Sequence, residues 1–343
     1  MTSTSLSLRC IGRRADTHDV TSWQFVAAEG TLPPVLAGQC VTLHTEIDGQ
    51  PLCRAYTLSS SPQDPFWQVT IKDVGLVSHH LHQSLQVGDE IRVDGPFGDF
   101  HLTAFPCERP LLLSAGSGIT PMWAMLRDEL VKRPEADIRF VHSARSPQDV
   151  IFADELAALA EAHAGLRHAL VLERVPERVL EEAPVAHPWV GRLTPSMLKE
   201  LAPDLLGRHV YLCGPAPYMA AVSTMLAELG LPAEQLHQES FGLPAGTSST
   251  APVAAGSDHF WLTLKKSGKK VKILPGQTLL AALEGAGETM VAACRAGVCG
   301  ACRCTTEGEI ERQSVMTLSA QDLERGVALA CSCTIRGDVS VDY

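Results

Sequence analysis

The chain has 343 residues, of which 45% are hydrophobic, and its formal net charge at pH 7 is −11. This length suffices for two or three domains with sizeable cores. The acidic balance argues against a general nucleic-acid binder, because such proteins neutralise phosphates with clustered Lys and Arg. No stretch approaches the ~18 consecutive apolar residues of a membrane span, and the start lacks the pattern of a secretion signal. We therefore expect a cytoplasmic protein that binds neither nucleic acid nor membrane.

The first hundred residues contain short segments in which apolar and polar residues alternate between turn signals. Examples are "SWQFVAA", "GQCVTLHTEI" and "WQVTIKDV". This pattern predicts an antiparallel β-barrel. Another segment, "RAYTLSS" from Arg54 to Ser60, combines a cation, an aromatic ring and hydroxyls, which are the residue types that a flavin requires. From these residues alone, an ordinary edge strand with a surface arginine remains an alternative.

A later segment of the same region, "GLVSHHLH" from Gly75 to His82, places a glycine and a hydroxyl at a predicted helix start. Unpaired backbone N–H groups at a helix start favour phosphate, so this segment is a second candidate ligand-binding element. Its histidines are spaced too closely to share one helical face, which disfavours a metal site.

The next region opens with "RPLLLSAGSGITPMWAMLRDEL", which predicts a buried strand at Leu111–Leu113, a glycine loop and an amphipathic helix. Thr120 is the predicted cap of the helix, and Pro121 suits its first turn. Such a helix start favours a pyrophosphate. The general dinucleotide motif has a third glycine where this chain has Pro121, so a purely structural strand–turn–helix unit remains an alternative.

Three further segments, "DIRFVHSAR", "RHALVLER" and "RHVYLCGPAPYMAAVSTMLAEL", continue the alternation of strand and helix. This alternation predicts a parallel sheet covered by helices. Such sheets bind ligands at the carboxyl ends of their strands. The loops at Ser143–Arg145 and Cys213–Pro215 lie at these ends and are therefore candidate binding loops.

A stretch rich in Gly, Pro, Ser, Thr and Ala, "FGLPAGTSSTAPVAAGS", predicts a flexible tether. The eleven excess negative charges all lie before residue 258. The predicted domains are a barrel domain at 1–105, a nucleotide domain at 106–242, the tether at 243–257 and a small C-terminal domain at 258–343.

The C-terminal region predicts a small α+β domain. "HFWLTLKKSGKKVKIL" alternates around a Ser-Gly turn and predicts a β-hairpin. "GQTLLAALEGAG" predicts a helix that is capped by Thr278 and ends at Gly285. The segments "VALACSC" and "DVSVDY" then predict further strands.

Six of the eleven cysteines lie within the last fifty residues, and this clustering points to metal rather than to disulfides. Four of them have the C-x4-C-x2-C…C spacing of a plant-type 2Fe–2S site: Cys294, Cys299, Cys302 and Cys331. Gly297 and Gly300 allow the backbone to approach such a cluster closely. Structural zinc sites usually have two C-x2-C pairs, and Cys331–Cys333 is not one, so zinc is the less favoured alternative.

In this order, "RAYTLSS", "GLVSHHLH", "GPFGDF", "GSGITPM", "YLCGPAPYM" and "CRAGVCGACRC…LACSC" resemble the ferredoxin–NADP reductase superfamily. The likeness is to its bacterial branch with a C-terminal β-grasp ferredoxin domain. Within that branch the chain resembles the NADH oxidoreductases of hybrid-cluster proteins and the reductases of Rieske-type demethylating oxygenases. The reductase of phenylacetyl-CoA epoxidase is a further relative with the same domain order.

The resemblance implies FAD, NADH and a 2Fe–2S cluster as cofactors, and it implies roles for matching positions. The flavin positions are Arg54, Ala55, Tyr56, Thr57, Gly75, Val77 and Ser78, with Arg54 at the pyrophosphate, Tyr56 on the ring system and Thr57 near its N5. The nicotinamide-nucleotide positions are Gly116, Gly118, Thr120, Pro121, Arg145, Cys213 and Gly214. Glu239 and Phe241 lie in the segment that returns toward the flavin. The residues expected to act in catalysis are Thr57, Cys213 and Thr120.

The implied activity passes electrons from NADH through FAD and the cluster to a redox partner protein, either a hybrid-cluster protein or a Rieske-type oxygenase. Flavin lies between the other two because it accepts a hydride and releases single electrons. Arg295 and Arg303 flank cluster ligands, so we expect a partner with an acidic docking surface. Three alternatives stay open: a monooxygenase reductase that uses NADPH, with Arg145 at the 2′-phosphate, a non-enzymatic iron–sulfur redox sensor, and FMN in place of FAD. A monomer is expected.

Overall fold

The structure is a computed structural model, and it describes residues 5–175, 189–239, 259–288, 290, 292, 297, 300, 302–313, 318 and 320–343. The chain divides into two compact units. The first contains most of the chain before residue 240, and the second contains the last five strands.

The first unit begins with six β-strands and one helix. They are β1 Ser5–Thr17, β2 Val20–Ala27, β3 Cys40–Ile47, β4 Gln50–Thr57, β5 Trp67–Lys72, α1 Leu76–Ser84 and β6 Glu90–Phe97. The strands form one sheet in the order β4-β3-β6-β1-β2-β5. Its two edges meet, because Leu58 bridges Val69 and the N–H of Ser59 donates to the carbonyl of Gln68 at 2.7 Å. The predicted antiparallel barrel is therefore confirmed.

The alternating pattern of the barrel strands fills its interior. Trp23 and Phe25, two residues apart on β2, are both buried, and Trp67 and Val69 on β5 bury their side chains in the same core. Residues two apart on a strand share one face. Burying each of these large side chains contributes about 1.5–3 kcal/mol.

The rest of the first unit alternates strands and helices. They are β7 Pro110–Ala115, α2 Ile119–Lys132, β8 Ile138–Ala144, α3 Ala153–Ala162, β9 Leu166–Leu172, β10 Trp189–Val190, α4 Pro195–Leu201, β11 His209–Cys213, α5 Ala216–Glu228 and β12 Leu236–Glu239. The strands form a sheet in the order β10-β9-β8-β7-β11-β12, and every neighbouring pair is parallel. This confirms the predicted α/β domain and aligns the carboxyl ends of its strands along one edge.

Polar contacts join the barrel to helix α2. The Arg127 guanidinium donates to both carboxylate oxygens of Asp64, at 2.7 and 2.8 Å, and it lies 5.9 Å from the Trp123 ring centroid. Beside this pair, Gln63 donates to Asp128 at 3.1 Å. The bidentate geometry of Asp64 and Arg127 fixes both distance and orientation at this contact.

At the amino-terminal edge of the parallel sheet, the guanidinium of Arg208 is fully buried. It donates to both carboxylate oxygens of Asp137, at 2.8 and 2.7 Å, to the Asp137 carbonyl at 3.1 Å, and to Asp204 at 2.9 Å. Arg208 precedes β11 and Asp137 precedes β8, so this cluster joins the starts of two strands that flank β7.

The second unit is a small α+β domain. Its elements are β13 Phe260–Leu264, β14 Lys270–Ile273, α6 Leu279–Gly285, β15 Arg303–Arg312, α7 Ala320–Glu324, β16 Val327–Leu329 and β17 Cys333–Asp342. The strand order is β14-β13-β17-β15-β16, with β13 and β17 parallel in the middle. Helix α6 buries Leu279, Leu280 and Leu283 in the core of this unit. The predicted hairpin and the Thr278 cap, which accepts from the N–H of Ala281, are both present.

No helix within the described residues is long and apolar enough to cross a membrane. The predicted tether at 243–257 lies outside the described residues. The domain boundaries at 105, 242 and 257 stay predictions, as does the monomeric state.

Replacing Arg208 with Met should destabilise the first unit. The variant removes the buried cation, while Asp137 and Asp204 keep Arg109 as a partner. The lost charge-assisted hydrogen bonds should cost about 1.5–3 kcal/mol. Urea unfolding followed by circular dichroism measures the loss. The control is Arg9→Met, which removes an exposed pair with Glu90 and should leave the unfolding midpoint nearly unchanged. Equal midpoints for the two variants would contradict the role of Arg208.

Candidate functional site

The segment singled out for a flavin ends strand β4. Arg54 is exposed, with its guanidinium donating to the carbonyl of Cys53 at 2.7 Å, while Ala55 and Tyr56 are half-buried. Thr57 is buried, and its hydroxyl has no hydrogen-bond partner among the residues that the structure describes. A buried hydroxyl without a partner is costly unless a ligand bonds it. The segment therefore offers a free polar atom beside an aromatic ring and a cation.

The start of α1 is arranged around the hydroxyl of Ser78. This hydroxyl accepts from the N–H groups of Val74 and Gly75, at 3.0 and 2.9 Å, and donates to the carbonyl of Gly75. A Cβ at Gly75 would meet nothing within 4 Å, so space is open beside the helix start. The first N–H groups of a helix lack partners within the helix. Backbone N–H groups such as that of Val77 are thus the available donors, while the Ser78 side chain is already engaged.

The glycine loop differs in one detail from its sequence prediction. A short 3₁₀ turn at Gly116–Gly118 precedes α2, whose N-cap is Gly118 rather than Thr120. Thr120 lies inside the first helical turn, and its buried hydroxyl donates to the carbonyl of Ser117 at 3.0 Å. Pro121 is in the first turn, as predicted. The extra turn places the N-cap two residues earlier than predicted. Thr120 therefore holds the loop through its bond to Ser117 and does not cap the helix.

The two glycines of this loop are present for different reasons. Gly116 has a φ of +52°, a backbone conformation that favours glycine, although a Cβ there would meet nothing within 4 Å. At Gly118, a Cβ would lie 2.3 Å from the carbonyl oxygen of Cys213 and 2.6 Å from the nitrogen of Gly214. Any larger residue would push the loop away from the end of β11. The close approach of Gly118 therefore brings the loop and the Cys213–Gly214 segment together.

Four buried polar side chains form a row across the carboxyl edge of the parallel sheet. The register pairs His142 with Ser114, Ser114 with Cys213, and Cys213 with Glu239, on four adjacent strands. Parallel partners in register project to one face. Ser114 Oγ and His142 Nδ1 are 2.9 Å apart, while Glu239 Oε2 and His142 Nε2 have no hydrogen-bond partner in the described ranges of the chain. We refer to these four residues as the polar row.

Burial sets the protonation of the polar row. It raises the pKa of Glu239 to about 8 and lowers the pKa of His142 to about 3, so both are neutral at pH 7. Burial, together with the nearby Glu239, raises the pKa of the Cys213 thiol well above its usual range. The row therefore presents a thiol and a carboxylic acid rather than two anions.

A cavity of about 340 Å³ lies at the same edge of the sheet. Its lining includes Gly116, Ser143, Pro215 and Tyr218. The hydroxyls of Ser143 and Tyr218 are buried, and neither completes a hydrogen bond of good geometry within the chain. Burial raises the pKa of the Tyr218 hydroxyl, which stays protonated. The cavity has the size and the unpaired polar atoms of a small-molecule site.

Charged residues line one end of this cavity. Arg145 donates to Asp149 at 3.0 Å and lies 3.4 Å from Asp19, which also binds Lys72 at 3.1 Å. Glu173 is a further carboxylate of the lining. Arg145 is thus held by two carboxylates, one of which comes from the barrel.

The described part of the cysteine loop brings two predicted ligands together. The Sγ atoms of Cys302 and Cys331 lie 3.2 Å apart, and the N–H of Gly297 points to Cys331 Sγ at 3.2 Å. Gly297 and Gly300 both have positive φ, +73° and +72°, which explains why glycine occupies these positions. Cys294 and Cys299 lie outside the described residues. The donor set present, two adjacent thiols with a backbone N–H, fits a thiolate-bound cluster.

The two spare cysteines of this region, Cys304 and Cys333, are buried in the core of the second unit. Burial and the neighbouring cysteines raise the pKa of each to about 12. A thiol held protonated in this way is a poor metal ligand. The structure thus separates them chemically from a cluster site.

The sequence interpretation missed several residues of this site. Ser114, His142 and Tyr218 were not singled out, nor was the contact of Asp19 with Arg145. A polar residue in the last positions of an otherwise apolar strand, as in "LLLSA" and "FVHSA", is the signal that could have found the first two. Phe241, predicted near the flavin, lies outside the described residues.

Family models match the chain in three places. The model described as oxidoreductase FAD-binding domain matches residues 16–102, and the oxidoreductase NAD-binding domain matches 112–224. The 2Fe-2S iron-sulfur cluster binding domain matches 262–336. The chain belongs to the ferredoxin–NADP reductase family that carries a C-terminal 2Fe–2S ferredoxin domain. This reductase is an electron-transfer oxidoreductase with FAD, NAD and 2Fe–2S cofactors.

Several curated proteins resemble the reductase along most of its length. The glycine betaine monooxygenase reductase subunit of Pseudomonas aeruginosa is 36% identical, over 98% of this chain and 94% of that protein. A stachydrine N-demethylase reductase subunit of Rhizobium meliloti is 32% identical, over 98% and 96%. The NADH oxidoreductase HCR of Escherichia coli is 34% identical, over 89% and 88%.

Solved structures agree on the fold. An intact type IV self-sufficient cytochrome P450 monooxygenase matches 99% of the reductase and 41% of that chain, with a TM-score of 0.75 and 24% identity. The FAD/NAD-binding domain of a nitric oxide dioxygenase from Vibrio cholerae matches 69% of the reductase and 98% of that chain, with a TM-score of 0.61 and 26% identity.

Glu239→Gln should remove a pH dependence of stability. Because the folded-state pKa of Glu239 is about 8, against 4.5 for the ordinary carboxyl, the folded chain holds a proton that the unfolded chain releases. Its contribution to stability is therefore greatest below about pH 4.5 and declines as pH rises toward 8. Unfolding temperatures at pH 5.5 and 8.5 should differ less in the Gln variant than in the wild type. Equal differences would contradict a buried, neutral Glu239.

Proposed function

We propose that this reductase takes electrons from NADH and delivers them singly to the terminal component of a Rieske-type demethylating oxygenase. The observation that carries the proposal is the similarity to oxygenase reductase subunits over 98% of the chain, a span that includes all three of its cofactor domains. A hybrid-cluster protein is the second candidate acceptor, supported by 34% identity to the NADH oxidoreductase HCR over 89% of the chain. The wider coverage favours the oxygenase.

In this proposal the barrel binds FAD. Arg54 contacts the pyrophosphate together with the backbone N–H of Val77, and Gly75 leaves space for it beside the helix start. Tyr56 packs on the ring system, and the free hydroxyl of Thr57 bonds near N5. Ala55 and Ser78 shape the strand and the helix start around the group. FAD supplies the exchange between a hydride and single electrons. Thr57 is the residue whose unmet hydrogen bond best supports this assignment.

The nicotinamide nucleotide occupies the cavity at the carboxyl edge of the parallel sheet. Gly116, Gly118, Pro121 and Gly214 let the backbone approach it, and Cys213 lies at the nicotinamide end beside Glu239. Keeping both side chains neutral avoids a fixed negative charge next to the transferred hydride. Thr120 holds the loop through its bond to Ser117. We assign Thr120 this positioning role within the site.

The charges at the other end of the cavity favour NADH over NADPH. Three cations line the cavity, and each is already paired with a carboxylate: Arg145 with Asp149 and Asp19, Lys72 with Asp19, and Arg192 with Glu173. A 2′-phosphate would have to compete with these carboxylates for a cation, which disfavours NADPH.

The cluster ligands in this proposal are Cys294, Cys299, Cys302 and Cys331. The proximity of Cys302 and Cys331 supports two of them directly. The proposal further places the protein in the cytoplasm, as a monomer whose tether at 243–257 makes electron transfer to the ferredoxin domain intramolecular. A redox sensor or a zinc module would account for the cluster region but not for the nucleotide cavity.

Anaerobic titration of the purified protein tests the function. NADH should bleach the flavin absorption and then produce the paramagnetic signal of a reduced 2Fe–2S cluster, whereas NADPH should do so about tenfold less efficiently. Reduction of flavin alone, or no reduction, would refute the proposed electron path. Asp149→Asn removes one of the two carboxylates that hold Arg145 and should narrow the preference for NADH. A preference for NADPH in the wild type would refute the charge argument while leaving the electron path intact.

Cys331→Ser should abolish the cluster absorption, because it removes one of the two adjacent thiols. Cys333→Ser is the matched control, two residues away on the same chain segment, and should retain the absorption because the Cys333 thiol is buried in the core. Iron content and visible spectra of both variants measure the difference. Loss of iron from the Cys333 variant alone would reverse the ligand assignment.

A further inference from the structure

The β13–β14 hairpin has an unusually dense positive charge. Its residues 265–272, "KKSGKKVK", contain five lysines and no acidic residue, although the whole chain carries −11. This charge is local to one surface of the second unit. It was not part of the sequence-based site assignment.

Only two of these lysines have acidic partners within the described residues. Lys265 pairs with Glu307 at 2.6 Å, and Lys269 lies 3.8 Å from Glu288 while donating to the carbonyl of Ala286. The remaining three are exposed and form no ion pair with any described residue: Lys266, Lys270 and Lys272. Within the described part of the chain, three positive charges of the hairpin are therefore without an ion pair.

An exposed tryptophan lies among these lysines. Trp261 points outward from β13 and remains 38% exposed, with Lys272 Nζ 5.6 Å from its ring centroid. A hollow of about 310 Å³ beside it is lined in part by Thr263, Lys270 and Ser340. Exposed Trp residues within a charged rim are frequent anchors of protein interfaces.

The acidic residues of this hollow offset only part of the positive charge. Glu307 is paired with Lys265, and the carboxylate of Asp338, which accepts from the backbone N–H of Trp261 at 2.9 Å, retains one negative charge. Arg303, which was expected to contact a partner, lies 3.6 Å from Asp322. Three lysines against this one carboxylate leave the hairpin surface with a net positive charge.

We propose that Trp261, Lys266, Lys270 and Lys272 form the docking surface for an acidic face of the redox partner protein. The inference rests on the proposed function and adds the location of the contact. An acidic protein fits better than nucleic acid or an anionic membrane, because the −11 of the whole chain opposes an extended polyanion. An acidic patch of limited size can meet the hairpin alone.

The docking surface and the cluster ligand belong to one sheet. Strand β13 pairs in parallel with residues 339–341 of β17. The same strand begins at Cys333, two residues after the predicted ligand Cys331. A partner held on the hairpin would be oriented by a rigid element that also supports the cluster.

The test uses the full-length reductase with FAD and cluster, and soluble cytochrome b5, an acidic haem protein, as the acceptor. With the wild type, kcat/KM for cytochrome b5 should fall as ionic strength rises. Lys270→Glu/Lys272→Glu should lower it about tenfold at low salt, since the variant reverses the steering charge. Trp261→Ala should lower it at low and high salt alike. All variants should keep the wild-type rate of cluster reduction by NADH.

The matched control is Arg167→Glu/Lys199→Glu, which makes the same change in net charge at exposed positions of the nucleotide domain. An equal loss in this control, or a wild-type rate that does not fall with salt, would overturn the proposal. Slower cluster reduction by NADH in the lysine variant would assign the surface to transfer within the chain instead. Lysine-dependent binding to phosphatidylserine vesicles or DNA, with unchanged cytochrome b5 kinetics, would assign it to a polyanion and also overturn the proposal. If NADH fails to reduce the cluster in the wild type, the proposed function itself fails.

Discussion

The close approach of Gly118 to the carbonyl of Cys213 is the constraint on which the rest of the nucleotide site depends. A single methyl group at this position would overlap the end of β11. Because the loop reaches the strand end, its turn and the Cys213–Gly214 segment share one edge. The parallel register then adds Ser114 on one side and Glu239 on the other. Because Gly118 has no side chain, residues that are more than a hundred positions apart in sequence can lie at one edge of the sheet.

The unpaired buried polar atoms of the candidate site are costly for the chain alone. Thr57, His142 and Glu239 each bury a side-chain polar atom that has no hydrogen-bond partner among the described residues, and each such atom costs about 1–3 kcal/mol. An apolar residue at any of these positions would pack without that cost. Ligands that satisfy these atoms stabilise the folded state by mass action. Ligand binding to these unpaired atoms should therefore also raise the stability of the folded protein.

Much of the architecture could be predicted because its signals are local. The alternation around Trp23, the apolar strand at Leu111–Leu113 and the cap at Thr278 each depend on a few neighbouring residues. The cysteine spacing likewise predicted that Cys302 and Cys331 would meet, and their sulfurs lie 3.2 Å apart. In each case a short-range rule determines the outcome.

What could not be predicted depends on tertiary register. The bond between Ser114 and His142 exists only because two strands align residue by residue, and no pattern within either strand encodes that alignment. The contact of Asp19 with Arg145 joins a turn of the barrel to a loop of the other domain. The cap at Gly118 depends on a 3₁₀ turn that shifts the helix start, a boundary that sequence patterns place only to within a residue or two.

Two of the ionic contacts between the barrel and the nucleotide domain differ in their surroundings. Asp64 and Arg127 form a bidentate pair with side chains 15% and 30% exposed, while Arg145 at the cavity is 51% exposed and shares Asp19 with Lys72. Dissolved ions screen the more exposed contact more strongly. Concentrated electrolyte should therefore weaken the contact of Asp19 with Arg145 beside the cavity while Asp64 and Arg127 still join the barrel to α2.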